Sequence, residues 1–120
     1  MKRLVLLIVL LASPAFGQTA LEMQSMCAPF RSAELRDHMI TFDQTFETGM
    51  CWGAFGFLQE ATRWGRSATD LDLKACVPAE STRSELIKIF LHYVDQHPEE
   101  GHRNFADVAL IALKAAFPCH

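Results

Sequence analysis

Clusters of basic side chains are missing from this sequence: its 11 Lys and Arg are dispersed among 14 Asp and Glu, and the formal charge is −3. Phosphate backbones are held by clustered Lys and Arg, so this balance argues against a nucleic-acid partner. Long apolar runs are missing after Ala12. A helix needs roughly 20 apolar residues to cross a bilayer core, so no later segment qualifies as a span. The cysteines include no C-x-x-C pair, and the histidines no H-E-x-x-H. There is no G-x-S-x-G and no glycine-rich phosphate loop behind a strand. These absences remove the zinc-knuckle, zinc-protease, nucleophile-elbow and nucleotide-binding classes that carry such marks. With 120 residues, one small domain fits and two do not.

What is present begins at the first residue. Met1-Lys2-Arg3 precedes the apolar run Leu4 to Ala12, and Ser13-Pro14-Ala15-Phe16-Gly17 follows with small residues at Ala15 and Gly17. A basic start, a short apolar stretch and a small-residue site read as a secretory signal peptide over residues 1–17, cleaved near Gly17. Cys27 lies well beyond that site, which argues against a lipid anchor on a processed N-terminal cysteine. Processing would leave one domain, 18–120; losing Lys2 and Arg3 takes the formal charge from −3 to −5.

Cys27, Cys51, Cys76 and Cys119 all fall in that domain. An exported chain with an even number of cysteines pairs them, and four cysteines admit three pairings. Each bridge would stabilise the fold by about 3–4 kcal/mol in the chain-entropy model.

The periodicity is helical. Thr19 with Glu22 has capping-box spacing and opens a helix over Thr19 to Phe30, which Pro29 stops or bends. Arg31 to Thr45 is mixed, with a possible turn at Ser32-Ala33-Glu34-Leu35 and an extended stretch at Met39 to Phe42, and is assigned as loop. Phe46 to Trp64 carries the strongest pattern. At 100° per residue, Met50, Ala54, Phe57, Ala61 and Trp64 share one stripe, flanked by Leu58 and Cys51, and this stripe is expected to face the core. Gly49, Gly53 and Gly56 suggest a face that needs close backbone approach. Thr82 and Glu85 cap a third helix, which ends at His97 because the residue before Pro98 is pushed out of the helical region. Asn104 caps a fourth, with Asp107 in its first turn. The short connection makes helices three and four an antiparallel hairpin. That geometry sets Cys76 beside Cys119 and leaves Cys27 to pair with Cys51. The fold class is therefore all-α: a compact domain of four helices stapled by two disulfides.

No catalytic constellation emerges, and no metal or cofactor site is expected. Cys119-His120 are neighbours in sequence, but a bridged cysteine is no nucleophile. A metal site from His97 and His102 is weaker than a solvated turn. The turn His97 to Arg103, with His97, Glu99, Glu100, His102 and Arg103 around Gly101 as its tip, is the first candidate for entering a partner's cleft. Its plain reading is a helix connection. The stretch Arg63 to Asp72 is the second candidate; its alternating charges suit a solvated surface. Trp52 projects away from the apolar stripe. It reads first as a ring packed across a neighbouring helix or loop, and second as a partner or dimer contact.

The order of the cysteine motifs adds a resemblance. Gly49-Met50-Cys51-Trp52-Gly53-Ala54-Phe55, Cys76-Val77-Pro78, the run from Leu91 and Tyr93 to His97-Pro98-Glu99, and Ala116-Phe117-Pro118-Cys119 resemble the Rap/Tai immunity family from about Cys27 to Cys119. The resemblance implies a small periplasmic helical protein, often a homodimer, without catalytic activity. It also implies a partner, a peptidoglycan amidase effector of type VI secretion, blocked by an exposed loop of the immunity protein. The alternative class is a periplasmic protein-binding or scaffold module that uses the Trp52 face.

Overall fold

The structure is a computed structural model that describes residues 17–37, 39–67 and 75–119. The expected leader up to residue 16 lies outside the described residues, as do His38, His120 and the end of the second candidate stretch.

Helix α1, Ala20–Cys27, starts where the sequence places it. Glu22 N–H donates to Thr19 Oγ1 and Thr19 N–H donates back to Glu22 Oε2, each at 3.2 Å. This reciprocal pair satisfies two of the amides that a helix N-terminus leaves without partners. Pro29 has no amide to continue the ladder, and the chain tightens into a 3-10 turn, Ala28–Arg31. A miniature antiparallel hairpin follows inside the expected loop. Strand β1, Leu35–Arg36, pairs with β2, Met39–Ile40, with Leu35 opposite Ile40 and Arg36 opposite Met39. Asp37 turns the chain at φ 48°, in the left-handed region that Asp tolerates better than most residues.

Helix α2, Phe46–Ser67, begins with Thr45 and Thr48. Thr48 N–H donates to Thr45 Oγ1 at 3.2 Å and Thr45 N–H to Thr48 Oγ1 at 2.9 Å. The face that α2 buries differs from the expected one. Thr48, Cys51, Phe55, Leu58 and Thr62 are buried, whereas Phe57 and Trp64 are each 74 % exposed and Met50, Ala54 and Ala61 are half-covered. Two facts turn the helix this way. Cys51 is bonded to Cys27, which points its side of α2 at α1. The threonines on that side can be buried cheaply because their hydroxyls donate to backbone carbonyls: Thr48 to Asp43 at 2.6 Å and Thr62 to Gln59 at 3.0 Å. The expected glycine face is realised only at Gly56, where a Cβ would stand 2.8 Å from Arg83 Cζ; at Gly49 and Gly53 a Cβ would meet nothing within 4 Å.

Helix α3, Arg83–Gln96, is capped by Thr82, whose Oγ1 accepts from Glu85 N–H at 3.2 Å. Helix α4, Phe105–Ala116, is capped by Asn104, whose Oδ1 accepts from Ala106 N–H at 2.9 Å. The start of α3 lies beside the end of α4, as the hairpin argument requires: Ala75 bridges to Pro118, and Cys76 N–H donates to Phe117 O at 2.9 Å. The disulfides are the expected ones, Cys27–Cys51 and Cys76–Cys119, with Cα–Cα distances of 5.3 and 5.1 Å. At the centre, Phe55, Phe90 and Phe105 from α2, α3 and α4 meet at ring-centroid distances of 5.3–5.5 Å. Met23, Leu86, Ile87, Leu91, Val108 and Leu113 close around them. Among the described residues the result is an all-α domain of four helices with two disulfides.

Candidate functional site

The turn between α3 and α4 is built almost entirely from backbone hydrogen bonds. His97 N–H donates to Tyr93 O at 2.9 Å and closes α3. Pro98 cannot donate, so Pro98–Glu100 coils into a 3-10 turn in which Glu100 N–H reaches His97 O at 3.0 Å. The turn is then stitched to the beginning of the domain. Ala20 N–H donates to Arg103 O at 2.9 Å, Leu21 N–H to Gly101 O at 3.0 Å, and Phe105 N–H to Gln18 O at 2.9 Å. A loop held at both ends and along one edge keeps its shape.

Five of the candidate contact residues lie together on this turn. His97 stacks on Tyr93 at a centroid distance of 4.3 Å, and its Nδ1 lies 3.1 Å from Glu99 Oε1. Glu99's own backbone N–H, helped by the His97 ring, holds its exposed carboxyl below the ordinary value. Arg103 Nη1 donates to Glu100 Oε2 at 2.6 Å, and that pairing covers most of the Glu100 side chain. His102 is exposed. The expected glycine tip is a correction. Gly101 is buried, its N–H donates to Pro98 O at 3.2 Å, and a Cβ there would sit 3.6 Å from Leu21 Cβ. The stitch to α1 draws the glycine inward, and among the candidate residues of the turn Glu99, His102 and Arg103 are exposed.

Trp52 belongs to another neighbourhood. Its ring stacks on Phe30 at 5.6 Å, leans on Phe42 at 5.2 Å, and carries the Arg83 guanidinium 4.7 Å above its face. This is the packed-ring reading of Trp52, half-buried between α1's end, the loop and α3. Arg83 reaches it by lying over Gly56, and Arg83 Nε is buried there without a hydrogen-bond partner. Sequence reasoning missed Arg83; the only signal for it was a glycine on α2 with room for nothing larger than hydrogen.

A groove of about 700 Å³ runs along α3 and α4, floored by Ile89, Ala112 and Ala116 and walled by Lys88, His92 and Tyr93. All four cysteines are in bridges, so no thiol is available as a nucleophile. Among the described residues no three His, Cys, Asp or Glu side chains gather as a metal site, and no helix is long and apolar enough to cross a membrane.

A family profile of Rap1a immunity proteins matches residues 17–119. The chain belongs to the Rap1a immunity protein family. No curated protein and no solved structure matches it significantly. The matched span includes both disulfides, the four helices of the described residues and the α3–α4 turn. It also opens at Gly17, the residue at which the leader is expected to end.

Proposed function

We propose that this Rap1a family protein is a periplasmic immunity protein, that it binds and inhibits a peptidoglycan-amidase effector of type VI secretion, and that it does so as a homodimer. The observation that carries this reading is the family match across residues 17–119. The compartment is supported by the basic and apolar start of the chain and by the two bridges, which an oxidising space allows to form and persist. Inhibition by occupation of a cleft is supported by the α3–α4 turn, whose backbone is held before any partner arrives, so little ordering entropy is lost on binding. Its exposed groups Glu99 and His102 are the contacts assigned to the effector, with His97, Glu100 and Arg103 beside them on the same turn. The protein acts by binding and performs no chemistry of its own.

The test is a titration of the purified protein with an amidase effector recovered from the same cell's secretion cluster. Glu99→Ala with His102→Ala, which leave the Glu100–Arg103 pair intact, should weaken binding by about 10-fold or more if the turn holds the hot spot. Undiminished affinity would remove the turn from the interface. Absence of binding by the unaltered protein to any such amidase would remove the inhibitor reading itself.

A further inference from the structure

Two hollows of unlike character share a wall on α3. The groove of about 700 Å³ has an apolar side, where Ile89 and Tyr93 lie half-buried and Ala115 and Ala116 of α4 are exposed. Lys88 and His92 line it as well. Residues four apart share a row on a helix, so Ile89 with Tyr93 makes an apolar row and Lys88 with His92 a basic row beside it. The basic row also borders a second, smaller hollow of about 260 Å³, lined further by Arg31, Leu91 and Asp95. Lys88 and His92 therefore stand at the junction of an apolar trough and a polar cup.

Charge and size select the occupant. The Lys88 ammonium donates to Ala33 O at 2.9 Å, and no described carboxylate pairs with it. Asp95, the acid of the smaller hollow, is already taken by Arg31 and Gln24. The junction thus suits an anion attached to apolar carbon. A helix of even ten residues, about 15 Å long and 10 Å across, displaces about 1,200 Å³ and would stand mostly outside the groove. An extended peptide brings an N–H and a C=O at every residue, and the alanine and isoleucine side chains give these no partner. An acyl chain has no such groups to leave unpaired, and the groove has the volume of a small-ligand pocket.

We infer that the α3–α4 groove binds a single acyl chain with an anionic head, the chain lying along Ile89, Tyr93 and Ala116 and the carboxylate or phosphate oxygens of the head meeting Lys88 and His92. The site does not depend on the effector contact proposed for the turn. Each methylene that the groove takes from water raises affinity about 3- to 4-fold, until the trough is full.

Calorimetric titration of the oxidised protein tests this, with octanoate, decanoate and dodecanoate below their micelle concentrations and decanol as the uncharged control. Affinity should climb with chain length by about that factor per methylene. Decanol should bind about 10-fold or more weakly than decanoate, and Lys88→Glu should remove that difference. Ala116→Phe fills the groove from an exposed position, so it should preserve circular dichroism and melting while abolishing binding. Amide NMR shifts induced by dodecanoate in the unaltered protein should fall on the α3 and α4 residues around the groove, which locates the chain without any variant. Lauroyl lysophosphatidylglycerol set against dodecanoate tells the heads apart: tighter binding of the first assigns a lipid phosphate, and of the second a free fatty acid. No saturable binding, shifts clustered elsewhere, or full binding by a folded Ala116→Phe protein would overturn the site. Equal binding of decanol and decanoate would overturn the placing of the head on Lys88 and His92.

Discussion

Asp95 stands on α3, yet its carboxylate is shared by two groups from the beginning of the domain. Gln24 Nε2 donates to Oδ1 at 2.7 Å, and the Arg31 guanidinium donates to both oxygens, reaching Oδ1 at 2.8 Å. Arg31 holds the Asp95 carboxyl below its usual range, chiefly through this hydrogen bond, and the Arg31 guanidinium is correspondingly held above its own. Both side chains are 42 % exposed, so water screens the pair and its worth is that of a well-aligned surface bridge. Asp95→Ala should cost about 0.5–1 kcal/mol in urea denaturation at neutral pH. The sign of its pH dependence follows from the depressed carboxyl. The contribution is complete above the unfolded value of about 4 and fades as pH falls through the lower folded value. The stability gap between the unaltered protein and Asp95→Ala should therefore be constant from about pH 7 to 5 and narrow below about 4. A gap that widens on acidification would show that Asp95 acts by some other route. The raised Arg31 would lose its share only in strong alkali.

Among the elements, the two disulfides close loops of different reach and sit in different surroundings. Cys27 and Cys51 are both fully buried, while Cys119 is exposed and Cys76 half-covered. Thiol exchange needs access to a sulfur, so limiting reductant under native conditions should open Cys76–Cys119 first and leave Cys27–Cys51 intact until the domain unfolds. Alkylation and peptide mapping over time would show this, and simultaneous opening would contradict it. The same elements show what a sequence can and cannot reveal. Thr19 with Glu22, Thr82 and Asn104 marked three helix starts because a cap is a local matter, decided within one turn. The pairing of Cys76 with Cys119 was legible because a short connection fixes two helices side by side. The inner face of α2 was not legible. Periodicity reports which residues on a helix are apolar, and α2 has two such faces; the choice between them was made by Cys27, far away in sequence, and by threonines that satisfy themselves locally. The hairpin at residues 35–40 was missed because two paired residues per strand leave no alternation to read.

For the molecule as a whole, the two bridges decide where it can exist. In the chain-entropy model, loops with separations of 24 and 43 residues contribute about 3.5 and 4 kcal/mol. Their total is comparable with the roughly 5–15 kcal/mol that holds a whole domain together. The chain produced in a reducing compartment should be largely unfolded and rapidly proteolysed, and air oxidation should restore both helical circular dichroism and protease resistance. A reduced chain with full helicity and resistance would show that the aromatic centre suffices alone. At this scale, too, the candidate site was partly legible: the charged turn was visible from its Pro, Gly and Glu residues, but its fastening was not, because Gln18 to Leu21 are distant in sequence and bind it through backbone atoms that carry no residue signature. That fastening has an electrical consequence. Gln18 O receives Phe105 N–H, and Gly17 lies against Asn104, where its Cβ would come 3.1 Å from Asn104 Nδ2. In the exported chain proposed above, trimming after Gly17 turns the Gln18 nitrogen into an ammonium group at the margin of the turn that presents Glu99 and His102. Processing would then do more than release the chain. It would write a new positive charge onto the rim of the recognition surface, and an N-terminal purification tag would erase it.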